Sequence, residues 1–332
     1  MPVSIKILFF ADSHLGFDLP MRPRIQRRRR GEDFFANFQT IIKTAAEEKV
    51  DLVLHGGDLF FWAKLPNALV TKVALPLYDL AESGVPIYIV PGNHERSRIP
   101  NHFGFAHRNI HIFNRPRTFV FEKNGFRLAL AGFPFARNIY TQFNFLINKT
   151  EYKNCATDVR LLCLHQAISG ARVGAANYTF RQGPEIIPAH FLTNDFHAVL
   201  SGHIHRAQIL TSDSAGRAFS QPVIYPGSIE RTSFAERNEE KGFYTLQIDS
   251  DSKVPKIEFC SLPTRPMFKI ELNLTGLNRT DSLIKIKEKF STLPKNAVVQ
   301  LKLVPAFDWE ISASALRDMA PESMNVSLAV ER

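Results

Sequence analysis

The stretch Ile5–Gly16, IKILFFADSHLG, decides the fold of this chain of 332 residues. Its first half is apolar and rich in β-formers, which predicts a buried strand over Ile5–Ala11. The stretch turns polar at Asp12 and His14, directly after that strand. Open α/β sheets bind their ligands beyond the carboxyl ends of their strands. The stretch therefore predicts the first strand of such a sheet and a candidate ligand loop behind it.

The segments that follow continue an alternation of strands and helices. Apolar residues repeat at helical spacing over Glu32–Lys49, and further strands are predicted over Val50–Leu54 and Pro86–Val90. A helix that opens near Pro66 connects these two strands. The order strand, helix, strand, helix, strand predicts a sheet with helices packed on its faces.

Near residue 110 the predicted pattern changes from alternating strands and helices to mostly short strands. Two prolines in Leu262–Pro266 close this part, and the remainder follows the order strand, helix, strand, helix, strand. We therefore expect a core domain over residues 1–265 and a small α+β domain over residues 266–332. The second-half strands are predicted at Phe119–Phe121, Phe126–Gly132, Arg160–Leu164, His197–Leu200, Val223–Tyr225 and Gly242–Ile248.

The composition excludes several classes of protein. With 45% hydrophobic and 22% charged residues, the chain can bury a large core and is neither disordered nor of low complexity. No apolar run approaches the roughly 20 residues of a spanning helix, so we expect no membrane partner. Three widely spaced cysteines, Cys155, Cys163 and Cys260, predict reduced thiols and a cytoplasmic protein.

The positive charge is concentrated near the first ligand loop. The net charge is +9, and one short stretch carries six arginines. Two more, Arg96 and Arg98, lie in a later loop. Such a cluster is typical of proteins that bind the phosphates of nucleic acid, and the alternative is a solvated loop without a partner. The six arginines are Arg22, Arg24, Arg27, Arg28, Arg29 and Arg30.

Five short motifs stand at or just beyond the ends of predicted strands. They supply carboxylate, imidazole and amide groups, which bind divalent first-row metals. Hydrolysis of a phosphate ester needs an activated water and compensation of phosphate charge, and a pair of cations supplies both. The motifs are Asp12-Ser13-His14, Gly57-Asp58, Gly92-Asn93-His94-Glu95, Leu164-His165-Gln166 and Gly202-His203-Ile204-His205.

In this order the five motifs resemble the signature of the calcineurin-like metallophosphoesterases. The resemblance implies an α/β fold, in which a β-sandwich flanked by helices forms four layers and binds two metal ions. Here a small α+β capping domain is expected to follow that core.

Three longer stretches resemble the nuclease subunit of the bacterial SbcCD complex: Ile5–Gly16, Val50–Phe60 and Tyr225–Arg237. This resemblance implies manganese-dependent cleavage of DNA phosphodiesters, a homodimer and an SMC-like ATPase partner. In the family the ATPase-binding helices lie beyond the cap, whereas this chain ends at Arg332. The sequence therefore leaves open whether that ATPase is a partner.

The resemblance also implies a role for each residue of the motifs. Asp58 is expected to bridge two divalent metal ions, with manganese the first expectation and iron, zinc or magnesium the alternatives. His94 is expected to protonate the leaving oxygen or to stabilise the transition state. One metal is assigned Asp12, His14 and His205, and the other Asn93, His165 and His203.

One position departs from the family pattern. Many members carry a histidine that assists exonuclease action where this chain has Phe61, and a phenyl ring cannot transfer protons. His55, in the strand before Asp58, is expected to pack or to orient a metal ligand. Two alternatives to the nuclease stay open: a phosphatase or small-molecule phosphodiesterase on the same fold, and a non-catalytic DNA-binding subunit.

Overall fold

The computed structural model describes residues 2–18, 28–304 and 312–329. Within these ranges, no helix is both long enough and apolar enough to cross a membrane. All three cysteines are free thiols. The five helices of the described chain are α1 (Arg30–Glu47), α2 (Asn67–Glu82), α3 (Ile139–Lys149), α4 (Arg279–Ser291) and α5 (Ala313–Met319).

The strands form two large sheets and one small one. The first ten strands of the described chain are β1 (Ser4–Phe10), β2 (Leu52–His55), β3 (Ile87–Ile89), β4 (Ile110–Ile112), β5 (Arg117–Lys123), β6 (Phe126–Gly132), β7 (Val159–His165), β8 (Ala167–Ile168), β9 (Arg172–Val173) and β10 (Tyr178–Thr179). The others are β11 (Ile186–Ile187), β12 (Ala198–Gly202), β13 (Gln208–Ser212), β14 (Ala218–Tyr225), β15 (Gly242–Asp249), β16 (Lys256–Ser261), β17 (Met267–Asn273), β18 (Val298–Val304) and β19 (Asn325–Leu328).

Each large sheet has six strands and a parallel centre. The first sheet has the order β16-β15-β1-β2-β3-β4, in which β1 to β4 are parallel. The second has the order β13-β14-β12-β7-β6-β5, in which β14, β12, β7 and β6 are parallel. Antiparallel strands close both edges of the second sheet. Two short pairs, β9 with β10 and β8 with β11, lie outside these sheets.

The two sheets pack face to face and each carries helices on its outer face. Alternate residues of β1 point to opposite faces, as the period of two requires. Phe9 packs with Leu130 and Leu200 of the second sheet, whereas Phe10 packs against α1 and α2. Helix α3 covers the outer face of the second sheet through Phe143. This order of helix, sheet, sheet and helix confirms the expected four-layer α/β sandwich.

A third sheet, β17-β18-β19, carries α4 and α5 and has a hydrophobic core of its own. It begins at Met267, close to the domain boundary expected after residue 265, and that boundary stays a prediction. Arg265 connects the two parts, because its buried guanidinium donates to the Asp33 carboxylate of α1 at 3.0 Å. The same group donates to the backbone carbonyl of Ser323 at 2.6 Å.

Candidate metal centre

The candidate ligands lie in sharp loops at one edge of the sandwich. Asp12 and His14 follow β1, Asp58 follows β2, and His203 follows β12. These four residues have φ angles of 51°, 44°, 55° and 82°. Left-handed backbone is uncommon for residues other than glycine and costs free energy, and such positions cluster at functional sites. The strained loops turn the polar side chains inward at this edge.

One group of donors gathers around Asp12. The Nε2 atoms of His14 and His205 lie 2.9 Å apart. They are 4.0 and 3.8 Å from Oδ1 of Asp12, respectively. The Asp12 carboxylate is fully buried and accepts the backbone N–H of His203 at 3.0 Å. These three side chains form a group whose donor atoms could share one metal ion.

A second group gathers around Asp58 and Asn93. Oδ1 of Asn93 lies 3.0 Å from Nε2 of His165 and 2.9 Å from Nδ1 of His203. Oδ2 of Asp58 lies 3.3 Å from the same Nε2 atom of His165. Donor atoms of Asp12 and Asp58 lie within 4.8 Å of one another, so the two groups are adjacent. The structure thus brings together all seven residues that the sequence nominated as metal ligands.

Two glycines leave the space that these side chains need. A Cβ atom on Gly92 would lie 2.1 Å from Oδ1 of Asp58, and one on Gly57 would lie 2.2 Å from Nδ1 of His165. Gly57 also has a φ of 105°, a backbone angle that residues with a side chain rarely adopt. The glycines beside the motif residues are therefore needed sterically.

Hydrogen bonds fix the orientation of two imidazoles. Nδ1 of His165 donates to the Gly56 carbonyl at 2.7 Å, and Nδ1 of His205 donates to the Glu236 carboxylate at 3.2 Å. A fully buried lysine, Lys241, donates to Glu236 at 2.7 Å and to the carbonyl of His205, also at 2.7 Å. Partners of this kind set the tautomer of a metal-binding histidine. Glu236 and Lys241 were not among the residues expected from the sequence, because neither belongs to a strand-end motif.

Two further buried residues join the ligand loops. His55 lies 3.0 Å from Oγ of Ser13 and accepts the N–H of Gly57 at 3.2 Å, so it orients two loops and is no ligand itself. Glu95 accepts the N–H groups of Phe60 and Gly92, each at 2.8 Å. Its place next to Asn93 and His94 in one motif was the only sequence signal for this role.

Burial and mutual attraction shift the pKa values of the ionisable groups in the centre. Burial raises the pKa of Asp12 to about 6 and lowers that of His203 to about 3. Burial alone would raise the pKa of Asp58 and lower that of His165, but their mutual attraction dominates. The Asp58 pKa falls below its usual range, and that of His165 rises to about 9. Burial also raises the pKa of Glu95 to about 8.

The donor set fits divalent cations. Nδ1 of His165 donates to the Gly56 carbonyl, so loss of the Nε2 proton would leave its electron pair for a metal ion beside the Asn93 carbonyl oxygen, 3.0 Å away. Nδ1 of His14 is buried and has no hydrogen-bond partner among the described residues. Carboxylates, imidazoles and an amide together suit first-row divalent metals.

His94 occupies the outer side of the centre. Its side chain is 34% exposed, and Nδ1 donates to the carbonyl of Phe61 at 2.8 Å. Nε2 lies 3.9 Å from Oδ2 of Asp58, and the donor atoms of His14, Asp58 and His94 lie within 4.8 Å of one another. The Phe61 ring lies 5.2 Å from that of His94 and 5.6 Å from that of His14. Phe61 therefore supplies packing and a carbonyl acceptor.

The arginines nominated as DNA contacts differ in their surroundings. Arg28, Arg29 and Arg30 pair with carboxylates at 2.6, 3.3 and 3.8 Å, so they also serve the fold. Arg96 and Arg98 are exposed and form no ion pair within the described part of the chain. Contact with DNA stays a prediction for all of them. The other three, Arg22, Arg24 and Arg27, lie outside the described residues.

The chain belongs to the calcineurin-like phosphoesterase family, whose model matches residues 5–207. The family assigns the centre to metal-dependent hydrolysis of phosphoester bonds, and the donor groups support two divalent metal ions.

Three curated relatives are similar over most of the chain. The DNA double-strand break repair protein Mre11 of Aeropyrum pernix is 24% identical over 282 residues, which cover 81% of this chain and 64% of that protein. Its namesake in Methanopyrus kandleri is 25% identical over 265 residues, covering 74% and 54%. The uncharacterized metallophosphoesterase YhaO of Bacillus subtilis is 27% identical over 251 residues, covering 72% and 54%. The chain thus spans between half and two thirds of the length of these relatives.

Proposed function

We propose that this protein is a DNA nuclease of the SbcD type, which hydrolyses phosphodiester bonds with two divalent metal ions. The convergence of seven donor side chains at one edge of the sandwich carries the proposal. Divalent cations at this centre activate water and offset the negative charge of the attacked phosphate. Manganese is our first choice, and iron, zinc and magnesium suit the same donors.

Each residue then has a distinct task. Asp58 would bridge the two cations, while Asp12, His14 and His205 would hold one and Asn93, His165 and His203 would hold the other. His94, in its imidazolium form, delivers the Nε2 proton to the leaving oxygen while its Nδ1–H stays bonded to the Phe61 carbonyl. Glu236 and Gly56 keep His205 and His165 in the tautomers that direct Nε2 inward.

Two observations favour DNA over a small ester as substrate. Two of the three relatives described above carry the name of a DNA double-strand break repair protein. Arg96 and Arg98 are exposed within five residues of Asn93, where guanidinium groups can bind phosphates that flank the scissile bond.

The proposal extends to location, assembly and domain division. We place the protein in the cytoplasm, as a homodimer that acts on DNA, with an SMC-like ATPase as the candidate partner. We assign residues 1–265 to the nuclease domain and residues 266–332 to a capping domain.

The deciding experiment is an assay of DNA cleavage. End-labelled duplex, hairpin and single-stranded DNA are incubated with Mn²⁺, Mg²⁺ or a chelator, beside a chromogenic phosphodiester. We compare the native chain with Asp58→Asn and with Asp79→Asn, an exposed control position on α2. We expect metal-dependent cleavage by the native chain and by the control, and none by Asp58→Asn.

Two other outcomes would contradict the proposal. Turnover of the chromogenic ester with intact DNA would show a phosphatase or small-molecule phosphodiesterase. Salt-sensitive DNA binding that does not depend on metal, without any cleavage, would show a non-catalytic binding subunit.

A further inference from the structure

A cavity of about 630 Å³ lies outside the metal centre, between the start of β5 and the end of α3. We call it the β5–α3 groove. Its lining includes Arg115 and Arg117 on one side and Phe145 and Lys149 on the other. None of the arginines expected from the sequence to contact DNA lines this groove.

The cations of the groove are not neutralised by the protein. Arg115, Arg117 and Lys149 form no ion pair with any carboxylate in the described ranges, and Glu151 is the acidic residue that lines the cavity. Nε of Arg117 is buried and has no hydrogen-bond partner there. Burial and the charge of Arg115 both lower the pKa of Arg117. Three uncompensated cations around one concave site are suited to bind phosphate groups.

An exposed aromatic ring lies beside these cations. Phe145 projects from α3 with 62% of its surface exposed, and Nζ of Lys149 lies 5.7 Å from the centroid of its ring. An aromatic ring next to cations is the arrangement on which unpaired bases stack while phosphates are bound.

The groove lies at the same edge of the sandwich as the metal centre. Arg115 follows β4, which runs parallel to β1, β2 and β3 and ends at the same side. Arg117 pairs with Gly132 of β6, and Gly132 pairs with Cys163 of β7, two residues before His165. Adjacent strands lie about 4.8 Å apart, so Arg117 is about 10 Å from β7.

We infer that the β5–α3 groove binds an unpaired segment of the DNA strand that crosses the metal centre. Arg115, Arg117 and Lys149 hold its phosphates, and Phe145 stacks on a base. The inference rests on the proposed function, since that function names DNA as the polyanion. It adds a site that selects single-stranded over fully paired substrate, because a paired base cannot stack on Phe145.

The test measures binding in chelator, where no cleavage occurs. Fluorescence anisotropy follows a labelled single-stranded oligothymidylate across a range of salt concentrations with the full chain. The main variant is Arg115→Gln/Lys149→Gln, at two exposed positions that leave the partly buried Arg117 intact. Its control is Arg108→Gln/Lys49→Gln, which makes the same charge change at exposed positions before β4 and β2, at the opposite edge of the sheet.

We expect a specific change in the salt dependence. Each phosphate contact to a single strand contributes a slope of about 0.7 in a plot of log K against log salt, so the groove variant should lose about 1.4. The control should keep the native slope. Phe145→Ala should also keep that slope but bind at least about fivefold more weakly, the loss of one stacked base.

Three outcomes would overturn the inference: a native chain that does not bind the oligonucleotide, an unchanged slope in the groove variant, or an equal loss in the control. A groove variant that loses binding of inorganic phosphate in calorimetry, yet keeps binding of the oligonucleotide, would show a small-anion site and overturn it as well.

The proposed function is judged separately. A native chain that cleaves DNA while the groove variant binds normally refutes the groove alone, and binding through the groove without cleavage refutes the nuclease alone.

Discussion

At the scale of single residues, the metal centre concentrates features that a folded chain usually avoids. Asp12 is a fully buried carboxylate with left-handed backbone, and His14 is a fully buried imidazole with an unpartnered Nδ1 among the described residues. Burial of charge and local strain both cost free energy. His165 and His205 offset part of this cost at Asp12, and divalent metal ions bound by the donor groups would offset more of it.

His94 is predicted to act in proton transfer and not in metal binding. We expect His94→Gln to lower kcat by about 10²- to 10⁴-fold, the usual contribution of general acid catalysis. Its affinity for Mn²⁺ should stay near the native value, because the seven donor side chains are unchanged. Steady-state kinetics on a phosphodiester and calorimetric titration with Mn²⁺ measure the two quantities.

The control for this prediction is His107→Gln, at a histidine that pairs with Glu82 at 3.1 Å, away from the metal centre. It should leave both quantities unchanged. Loss of Mn²⁺ affinity in His94→Gln would instead place His94 among the ligands, and native kcat would remove it from the chemistry.

At the scale of elements, the centre depends on how the loops after β2 and β3 are joined. Glu95 accepts one N–H from each of them, Phe60 and Gly92, so a single buried carboxylate fixes the spacing of Asp58 and Asn93. The loop after β2 is also bonded to the loop after β1, through the N–H of Leu15 to the carbonyl of Leu59 at 2.9 Å. The two hydrogen bonds accepted by Glu95 therefore contribute both to the stability of the fold and to the geometry of the metal-binding donors.

We predict that Glu95→Gln destabilises the fold and impairs the centre. A glutamine amide offers one acceptor oxygen, so one of the two backbone N–H groups loses its partner and faces an NH₂ group. Leaving a buried donor unsatisfied costs about 1–3 kcal/mol in the free energy of unfolding. Urea denaturation in chelator at pH 9, where the Glu95 carboxyl with its pKa of about 8 is mostly ionised in the native chain, measures this cost.

The matched control is Glu82→Gln on α2, where the carboxylate is exposed and its change should stay within about 0.5 kcal/mol. Equal stability of Glu95→Gln and the native chain would show that Glu95 does not join the two loops. A loss of stability without any loss of phosphodiesterase activity would limit its role to the fold.

The sequence was sufficient to predict the elements that bear the motifs. Phe126–Gly132 has the same bounds in prediction and structure, and β1 differs by one residue at each end. Helix α3 was missed, since its sequence IYTQFNFLINK is rich in aromatic and β-branched residues with low helix propensity. Its burial of Ile139, Phe143 and Ile147 at a spacing of four shows that tertiary packing overrode that propensity.

At the scale of the whole molecule, the site joins residues that are far apart in sequence. His14 and His205 meet across 191 positions because β1 and β12 belong to different sheets whose ligand-bearing ends share one edge. The motifs predicted which residues would meet. Glu236 lies within the family-like stretch Tyr225–Arg237, but neither Glu236 nor Lys241 belongs to a strand-end motif, and their roles follow from the folded contacts. The sequence likewise gave no indication of the β5–α3 groove, since its cations are dispersed between β5 and α3.

Arg265 is the residue through which the third sheet is fixed to the core. Its guanidinium is only 5% exposed and donates to Asp33 of α1 and to Asn325 of β19, at 3.0 and 2.6 Å. Two further bonds go to backbone carbonyls of Asn296 and Ser323, each at 2.6 Å. Since one side chain supplies donors to both parts, the third sheet cannot move freely against the core while this network is intact.

We predict that Arg265→Met loosens the third sheet while the core stays folded. Loss of Arg265 removes one partner of a buried ion pair. Because Arg28 still lies 2.6 Å from Asp33, we expect a cost below the roughly 3–5 kcal/mol of a buried charge left wholly unpaired. Amide hydrogen exchange should therefore accelerate in β17–β19 and stay near native rates in β1–β3, which have a separate hydrophobic core.

Lys269→Met, at an exposed position of β17, is the control and should change neither exchange rate. Uniform acceleration across both parts would mean that core and third sheet unfold as one cooperative unit, and native exchange throughout would mean that apolar contacts alone hold them together.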